Sequence, residues 1–252
     1  VDAHNGLIEN FSDAAGTTLQ STILYLGLDP IISTVNATNV VLDYTGGAET
    51  ITVTPDATPG FTNVVSTQGE NTTFKNPTGS LTIQTGNGSG ADTVNVQGVG
   101  SGFDADLIID ADSDDTINFQ TAPTDIGNGS LTADAMTISV TQPVSTATTG
   151  AISMTTTKNI AVSASGSITT ADGPITLSAN ATGAATGNFS GIQVLGTTIQ
   201  STGSGAVSLT GHGSGTGDLR FGVEVTSGGK VLGGSGTVTV TGSSTVYPIS
   251  EE

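Results

Sequence analysis

Two segments of the chain repeat each other without a gap, and this repeat limits what the chain can fold into. Residues 191–211 align with residues 222–242 at an offset of 31, and eight of the 21 aligned residues are identical. An earlier copy, residues 160–179, aligns with them at an offset of 32. Three copies in register indicate a repeat architecture in which each unit packs mainly against its neighbours.

Each copy follows the same order of short strands and glycine turns. A strand of alternating apolar residues is followed by a glycine turn, a single apolar residue, a corner of Gly, Asp or Ser, and a second alternating strand. This pattern predicts an all-β solenoid with one repeat per coil, in which inward Val, Ile and Leu stack on their counterparts about 4.8 Å away. We expect the glycines to occupy corners where the backbone needs positive φ. At roughly ten coils the chain would be about 50 Å long.

The first half of the chain carries a different signature that occurs three times. A carboxylate is followed by Thr and an alternating strand at Glu49, Asp92 and Asp115, which are spaced 43 and 23 residues apart. Each of these segments follows an earlier strand, at residues 40–42, 81–83 and 107–109 respectively. This half is therefore also predicted to form coils, with less regular insertions between them.

Three regions are expected along the chain. Residues 1–39 are denser in apolar residues and less alternating, and they predict a short helix or an irregular N-terminal cap over the open end of the solenoid. Residues 40–134 would form acidic, irregular coils. Residues 135–252 would form regular coils rich in Gly, Thr and Ser.

The charge of the chain excludes several classes of function. Four Lys and Arg against 22 Asp and Glu give a net charge of −18, and residues 1–134 contain a single cation, Lys75. A nucleic-acid interface or an anionic membrane surface needs a basic patch that four cations cannot make. No apolar run approaches the ~18 residues that span a bilayer, so no membrane insertion is expected. The absence of Cys excludes disulfides and zinc–thiolate sites.

The strongest local feature is a cluster of acidic residues that could bind Ca²⁺. Dense carboxylates without a nearby cation repel one another, and Ca²⁺ prefers several oxygen ligands on flexible loops. Residues 87–94 also resemble one nonapeptide of the repeats-in-toxin calcium β-roll, although that family needs tandem copies. The alternative is a solvated acidic face that keeps a long β-surface soluble. The candidate metal ligands are Asp92, Asp104, Asp106, Asp110, Asp112, Asp114 and Asp115.

No catalytic residues are predicted, and we expect that the chain is not an enzyme. Glycoside hydrolysis needs two carboxylates across a cleft, usually with aromatic platforms, whereas this chain has three Tyr, seven Phe and no Trp. His4 and His212 are far apart, and the composition of residues 211–217 predicts a flexible loop around His212. Ice binding would need a Thr-x-Thr pair stacked on one face in every coil. This array is imperfect, because the residue that aligns with Thr239 in the preceding repeat is Ser208.

Residues 191–242 resemble the degenerate repeats of giant bacterial extracellular proteins. The shared features are Gly-apolar-x-Val, Ser-Thr-Gly-Ser-Gly and apolar-x-apolar-Thr-Gly, and the likeness extends over about residues 40–245. These proteins are the filamentous-haemagglutinin-like and autotransporter-passenger-like parallel β-helices. The resemblance implies a right-handed parallel β-helix that is secreted or displayed on the cell surface as a stalk, adhesin or matrix filament.

The sequence favours one function and leaves two alternatives. The first is an extracellular structural or adhesive scaffold, with end-to-end self-association into a homopolymer and a surface or matrix ligand as its expected partners. The alternative is a calcium-binding β-solenoid module whose acidic coils fold on Ca²⁺. The second alternative is a β-helix enzyme that processes polysaccharides.

Overall fold

The computed structural model describes residues 5–11, 19–26, 30–163, 165–216 and 220–247, with side chains in 30–163, 165–215 and 220–245. These residues form no helix and therefore contain no helix that could cross a membrane. The strands are β1 (Asn5–Phe11), β2 (Leu19–Leu26), β3 (Ile31–Ser33), β4 (Asn39–Asp43), β5 (Thr50–Pro55), β6 (Phe61–Ser66), β7 (Thr72–Lys75), β8 (Ser80–Gln84), β9 (Thr93–Val96), β10 (Asp106–Asp110), β11 (Thr116–Phe119), β12 (Thr124–Asp125), β13 (Leu131–Val140), β14 (Pro143–Thr146), β15 (Ile152–Val162), β16 (Ser167–Thr170), β17 (Ile175–Ala179), β18 (Ile192–Leu195), β19 (Thr198–Ser201), β20 (Val207–Thr216), β21 (Val223–Thr226), β22 (Lys230–Gly233) and β23 (Val238–Tyr247).

Twenty-one of these strands lie in two mostly parallel sheets, which form three faces. Face 1 stacks β4, β8, β10, the first halves of β13 and β15, β17 and the first halves of β20 and β23. Face 2 stacks β5, β9, β11, the second halves of β13 and β15, β18 and β21. Face 3 stacks β12, β14, β16, β19 and β22. The chain visits faces 1 and 2 in this order in every circuit, and face 3 as well from β10 onward, so each circuit forms one coil of a fold consistent with a β-solenoid.

The stacked register confirms the repeat that the sequence predicted. Ile160 pairs with Ile192, which in turn pairs with Val223. Val207 pairs with Ile175 on one side. These side chains are fully buried in the coils before the last one, because each coil covers the apolar side chains of its neighbour. Since the hydrophobic contribution scales with the apolar area removed from water, the energy of the fold is distributed along the axis.

On face 3 the gapless alignment of residues 191–211 is wrong by one residue. It places Ile199 opposite Lys230, whereas Ile199 pairs with Val231 in the structure. The turn before β22 explains the shift, because three residues separate β21 from β22 whereas two separate β18 from β19. Ser227 and Gly228 both adopt positive φ in that longer turn. The register returns to an offset of 31 on face 1, where Val207 pairs with Val238.

The corner between faces 1 and 2, called the variable corner below, explains the different repeat lengths. In the middle coils β13 and β15 run through this corner as single bent strands, and their pairing shifts register between Ala135 and Thr137. In later coils residues 180–191 form a loop at the same corner, between β17 and β18. The repeat therefore lengthens to 31–32 residues without any change in the stacking of the faces.

The insertions predicted in the first half are also present. Strands β6 and β7 pair antiparallel beside β5 and lengthen the path from β5 to β9, which accounts for the spacing of 43 between Glu49 and Asp92. Face 1 contains eight stacked levels rather than the ten coils expected. Its length between the first and the last level is thus roughly 34 Å. The expected boundary at 134/135 falls within β13.

Two expectations about local structure are corrected. Residues 5–11 and 19–26 form an antiparallel hairpin instead of a helix, and whether residues 1–39 act as a cap is a separate prediction. The predicted flexible loop at 211–217 belongs to strand β20 as far as Thr216, which pairs along its whole length with β23. His212 lies on this strand and bonds to the hydroxyls of Ser243 and Thr245 at 2.8 Å each. His4 lies outside the described residues.

A column of glycines at the start of face 1 has a different cause from the one expected. A Cβ atom on Gly173 would lie 1.9 Å from the carbonyl oxygen of Gly150, and one on Gly205 would lie 2.0 Å from that of Gly173. Neither residue is among the glycines with positive φ. These positions need glycine because the backbones of successive coils approach closely, not because of their φ angle.

The glycine column generates a prediction about stability. Gly173→Ala should lower the free energy of unfolding by about 3 kcal/mol, because the new methyl group must displace backbone atoms in a well-packed core. Gly86→Ala is the matched control, since nothing lies within 4 Å of its Cβ position. There the loss of unfolded-state entropy should raise the free energy of unfolding by roughly 0.4–1 kcal/mol. Urea denaturation followed by circular dichroism measures both variants, and equal effects would contradict the assigned role of the column.

Candidate functional site

Three of the predicted acidic residues form a buried ladder at the variable corner. Asp92 and Asp115 are 2% and 0% exposed, and Glu49 is 6% exposed. The backbone N–H of Glu49 donates to Asp92 Oδ1 at 2.7 Å, and the backbone N–H of Asp92 donates to Asp115 Oδ1 at 2.7 Å. The carboxylates of Asp92 and Asp115 thus each accept a hydrogen bond from the acidic residue one level before them. This bond satisfies a backbone group at a sharp turn, where the strand ladders do not reach it.

Further hydroxyl and backbone donors complete the ladder. Asp115 Oδ2 accepts from the Thr85 hydroxyl at 2.5 Å and from the backbone N–H of Asp112 at 2.8 Å. The Ser66 hydroxyl donates to Glu49 Oε2. Among the described residues, no Lys or Arg side chain contacts the carboxylate of Glu49, Asp92 or Asp115.

Burial raises the pKa values of Glu49 and Asp92. Desolvation raises the pKa of Glu49, the Ser66 hydroxyl lowers it, and the charge of Asp92 raises it further. Desolvation also raises the pKa of Asp92; the bond from the Glu49 backbone lowers it, and the charges of Asp115 and Asp114 raise it. Because the folded state holds these protons more tightly than the unfolded state does, ionisation of Glu49 and Asp92 costs stability.

The other candidate ligands lie on the outside of the coils. Asp104 Oδ1 accepts the backbone N–H of Asn128 at 2.6 Å, and this bond lowers the pKa of Asp104. Asp106 Oδ1 accepts the backbone N–H of Ser130 at 2.8 Å. These carboxylates therefore tie one coil to the next. The remaining three, Asp110, Asp112 and Asp114, are exposed.

The cluster therefore separates into inward and outward carboxylates. Among the residues that the structure describes, no three His, Asp or Glu side chains converge to hold a metal ion. The hydrogen bonds at Asp92, Asp104, Asp106 and Asp115 give a structural role to four of the seven candidate ligands. Calcium binding by the cluster stays a prediction, which melting experiments with the metal test.

A groove at the same corner was not predicted from the sequence. It has a volume of about 520 Å³ and crosses three successive coils. Lys158 and Asn159 come from β15, Asn188 to Ser190 from the loop before β18, and Arg220 from the segment before β21. Gln193 and Glu224 are paired neighbours on the outer side of β18 and β21. The loops that lengthen the repeat to 31–32 residues thus supply part of the groove wall.

Hydrogen bonds fix the polar groups of this groove. Glu224 Oε2 accepts from the Gln193 amide at 2.8 Å and from the Ser190 hydroxyl at 3.1 Å. Arg220 Nε donates to Asn188 Oδ1 at 3.3 Å. The Lys158 ammonium lies 5.7 Å from the centroid of the Phe189 ring, within the range of a cation–π contact. The groove therefore combines two cations, one carboxylate and several amides in fixed positions.

A sequence signal for this groove existed but was weak. Lys158 and Arg220 are two of only four Lys and Arg in the chain, and they stand two and three residues before Ile160 and Val223, the first apolar residues of two repeat copies. The sequence shows that positive and negative charges balance in this half of the chain. It does not show that Lys158 and Arg220 come close together, because they lie 62 residues apart.

A second groove, of about 380 Å³, contains two carboxylates, Asp104 and Asp125. The Asn128 hydrogen bonds lower the pKa of Asp104, whereas a general acid needs a raised pKa, so Asp104 is poorly suited to that role.

Comparisons of the chain with protein-family models, with curated proteins and with solved structures found no match. The resemblance to haemagglutinin-like and autotransporter-passenger-like repeats therefore stays a prediction from the sequence.

The buried ladder generates a prediction about pH. The stability that comes from the raised pKa values of Glu49 and Asp92 is fully present below their unfolded pKa values, which are near 4.5 and 3.8. It is lost as the pH rises through the folded values. Asp92→Asn keeps an oxygen that can accept the Glu49 N–H and removes the buried charge. We expect the melting temperature of this variant at pH 7 to rise by a few degrees, about 2–4 °C per kcal/mol.

The matched control is Asp110→Asn, which removes the same charge from an exposed side chain. Melting curves between pH 4 and pH 7 should show a flatter decline for Asp92→Asn and a wild-type decline for Asp110→Asn. Destabilisation of Asp92→Asn at pH 7, with an unchanged slope, would mean that the ionised carboxylate stabilises the corner.

The outward carboxylates generate a prediction about calcium. A site occupied at a hundred times its Kd would add about 2.7 kcal/mol, or roughly 5–10 °C in melting temperature. Among the described residues, no three acidic side chains lie close enough together to hold a metal ion. We therefore expect the melting temperatures with excess Ca²⁺ and with chelator to agree within about 2 °C. A larger rise with Ca²⁺ that is lost in the double variant Asp110→Asn with Asp112→Asn would establish the acidic coils as a calcium site.

Proposed function

We propose that the chain is an extracellular structural or adhesive scaffold, secreted or displayed on the cell surface, that acts as a stiff strut or filament. The observation that supports this most strongly is the continuous stacking of coils with buried apolar columns from β4 to β23. In such a fold every level is held by hydrogen bonds along the axis and by apolar contacts on both sides. The mechanism is passive: the stacked coils provide length and stiffness.

We also propose that the coils form a right-handed parallel β-helix. The support is general, because a connection that returns to a parallel strand of the same sheet is right-handed in about 98% of proteins. The resemblance of residues 191–242 to haemagglutinin-like and autotransporter-passenger-like repeats favours the same hand and the same extracellular setting.

The distribution of exposed apolar side chains supports end-to-end self-association. The last coil leaves Val238 and Val240 at 40% and 49% exposure, although the residues they stack on, Val207 and Leu209, are fully buried. Among the described strands β23 pairs on one side only, with β20, and its other edge can pair with another chain. Large hydrophobic side chains are exposed, among the described residues, only at the two ends of the stack: Ile32 and Val35 at one, and Phe221, Val225, Leu232, Val238 and Val240 at the other.

The acidic surface fits this role. Seventeen of the 22 Asp and Glu lie in residues 1–134. Those on the outside of the coils, such as Asp110, Asp112 and Asp114, repel one another, which favours a solvated sheet surface and discourages sideways pairing. Association would then be directed to the ends, where the exposed side chains are apolar.

Self-association through the last coil is testable with two substitutions on one strand. Val240→Glu places a charge on the inward row of β23, whereas Thr239→Glu places the same charge on the outward row of that strand. Sedimentation velocity over a range of concentrations should show assembly of the wild type and of Thr239→Glu. Val240→Glu should weaken assembly at least about tenfold, because a buried unpaired charge costs several kcal/mol.

A wild-type chain that stays monomeric at millimolar concentration would contradict self-association through this end. Equal weakening by both variants would assign the effect to net charge. The calcium module and the polysaccharide-processing enzyme are the two alternatives to the scaffold. The first depends on the melting experiment above, and the second predicts depletion of a polysaccharide by the pure chain.

A further inference from the structure

The groove formed by Lys158, Gln193, Arg220 and Glu224 is the part of this surface where an anion can approach. The chain carries a net charge of −18, yet this groove contains two of its four Lys and Arg and one carboxylate. Within a field of this sign, a side-chain cation that faces solvent marks a place at which an anionic group can bind.

Lys158 is the group most available to a ligand. Among the described residues its ammonium has no carboxylate within ion-pair distance, and its contact is with the face of the Phe189 ring. A ring contact positions the ammonium without neutralising its charge. The three N–H donors of Lys158 therefore suit a carboxylate or sulfate on a ligand.

The rest of the groove offers hydrogen-bonding groups for neutral hydroxyls. Glu224 and Gln193 are held by their mutual bond, and Ser190 fixes Glu224 from the other side. Asn159 and Asn188 add two more amides. Amides and carboxylates that are fixed in this way can donate to and accept from the hydroxyls of a ligand, with little cost in side-chain entropy.

The shape of the groove points to an extended ligand. Lys158 belongs to the first of three successive coils and Arg220 precedes the strand of the third, so the two cations are about 10 Å apart along the axis. Phe189 is only 8% exposed and is already covered by Lys158, so it provides no platform for stacking a base. Two cations are also too few for a nucleic-acid backbone.

We propose that this groove binds an acidic saccharide, a chain of sugar rings carrying carboxylate or sulfate groups. Lys158 and Arg220 face the anionic groups, and Gln193, Glu224 and Asn188 bind the ring hydroxyls. The inference rests on the proposed adhesive function and names the ligand class of that function. It does not depend on self-association: Arg220 and Glu224 belong to the last coil, but the groove opens on the outer side of the coils, whereas the proposed assembly uses the inward row of β23.

The experiment uses tetragalacturonate and a heparin tetrasaccharide as probes in isothermal titration calorimetry at low ionic strength. The fully methyl-esterified tetragalacturonate is the neutral control. Binding of at least one acidic probe to the wild-type chain is expected with a Kd of about 0.1–1 mM, typical of a shallow polar site. The methyl ester should bind at least about tenfold more weakly than the free acid if that acid binds.

Two variants locate the site. Lys158→Met should weaken the acidic probe at least about tenfold, since a charge-assisted hydrogen bond contributes this much or more. Lys230→Met removes the same charge from exposed β22 on face 3, away from the groove, and should bind as the wild type does. Circular dichroism melts establish that both variants remain folded.

Three outcomes would overturn the proposal. They are no binding of either acidic probe at millimolar concentration, equal binding of the acid and its ester, and equal weakening by Lys158→Met and Lys230→Met. None of these outcomes bears on the scaffold itself, which fails only if the chain does not form stacked coils or does not assemble.

Discussion

The in-register stacking of one coil on the next is the interaction on which the rest of the structure depends. Each coil contributes one surface of the apolar core and receives the other from its neighbour, so a single coil buries little by itself. The consequence is visible along one column, where Val194 is fully buried but Val225, which stacks on it in the last coil, is 44% exposed. The glycine column imposes the same constraint on the backbone, because coils at this spacing leave no room for a side chain at Gly173. The stiffness that we propose for the scaffold, and its proposed association at the ends, both depend on this one arrangement.

The variable corner differs in length and in its side chains from one coil to the next. A connection of five to eight residues that ends in a buried carboxylate occupies it in the first coils, a bent continuous strand in the middle coils, and a loop of twelve residues, 180–191, in the coil after them. The spacing of the faces is unaffected, since the strands on both sides keep their register. Asp92 and Lys158 therefore stand at corresponding corners of different coils, one buried within a ladder of acids and the other at the edge of a groove. A solenoid can acquire a binding site at such a corner without disturbing its core.

Much of the fold could be predicted from the sequence, because the period of a solenoid is written directly into its apolar pattern. The pairing of Ile160 with Ile192 follows from the spacing, and the shared signature makes Asp92 and Asp115 equivalent positions, but their hydrogen bond and burial were not predicted. The shift on face 3 could not be predicted. The turn before β22 is one residue longer than the turn before β19, and the connection after β22 is one residue shorter than the connection after β19, so the two repeats still align without a gap. The acidic cluster divided into inward and outward members because the alternation of a strand, not local charge density, decides which side a carboxylate faces. The groove could not be predicted, since Lys158 and Arg220 converge only after two coils have been stacked.

The most direct test of in-register stacking is a distance between two residues that are remote in sequence and close along one column. The chain contains no Cys, so nitroxide labels can be placed at Thr132→Cys and Thr239→Cys alone. Both residues are exposed on the outer side of face 1 and are separated by four stacking steps. Pulsed electron double resonance should give a narrow distribution about 19 Å between backbones, widened by the label linkers. A broad distribution centred near the roughly 55 Å of a flexible chain of this separation would contradict the stacked coils.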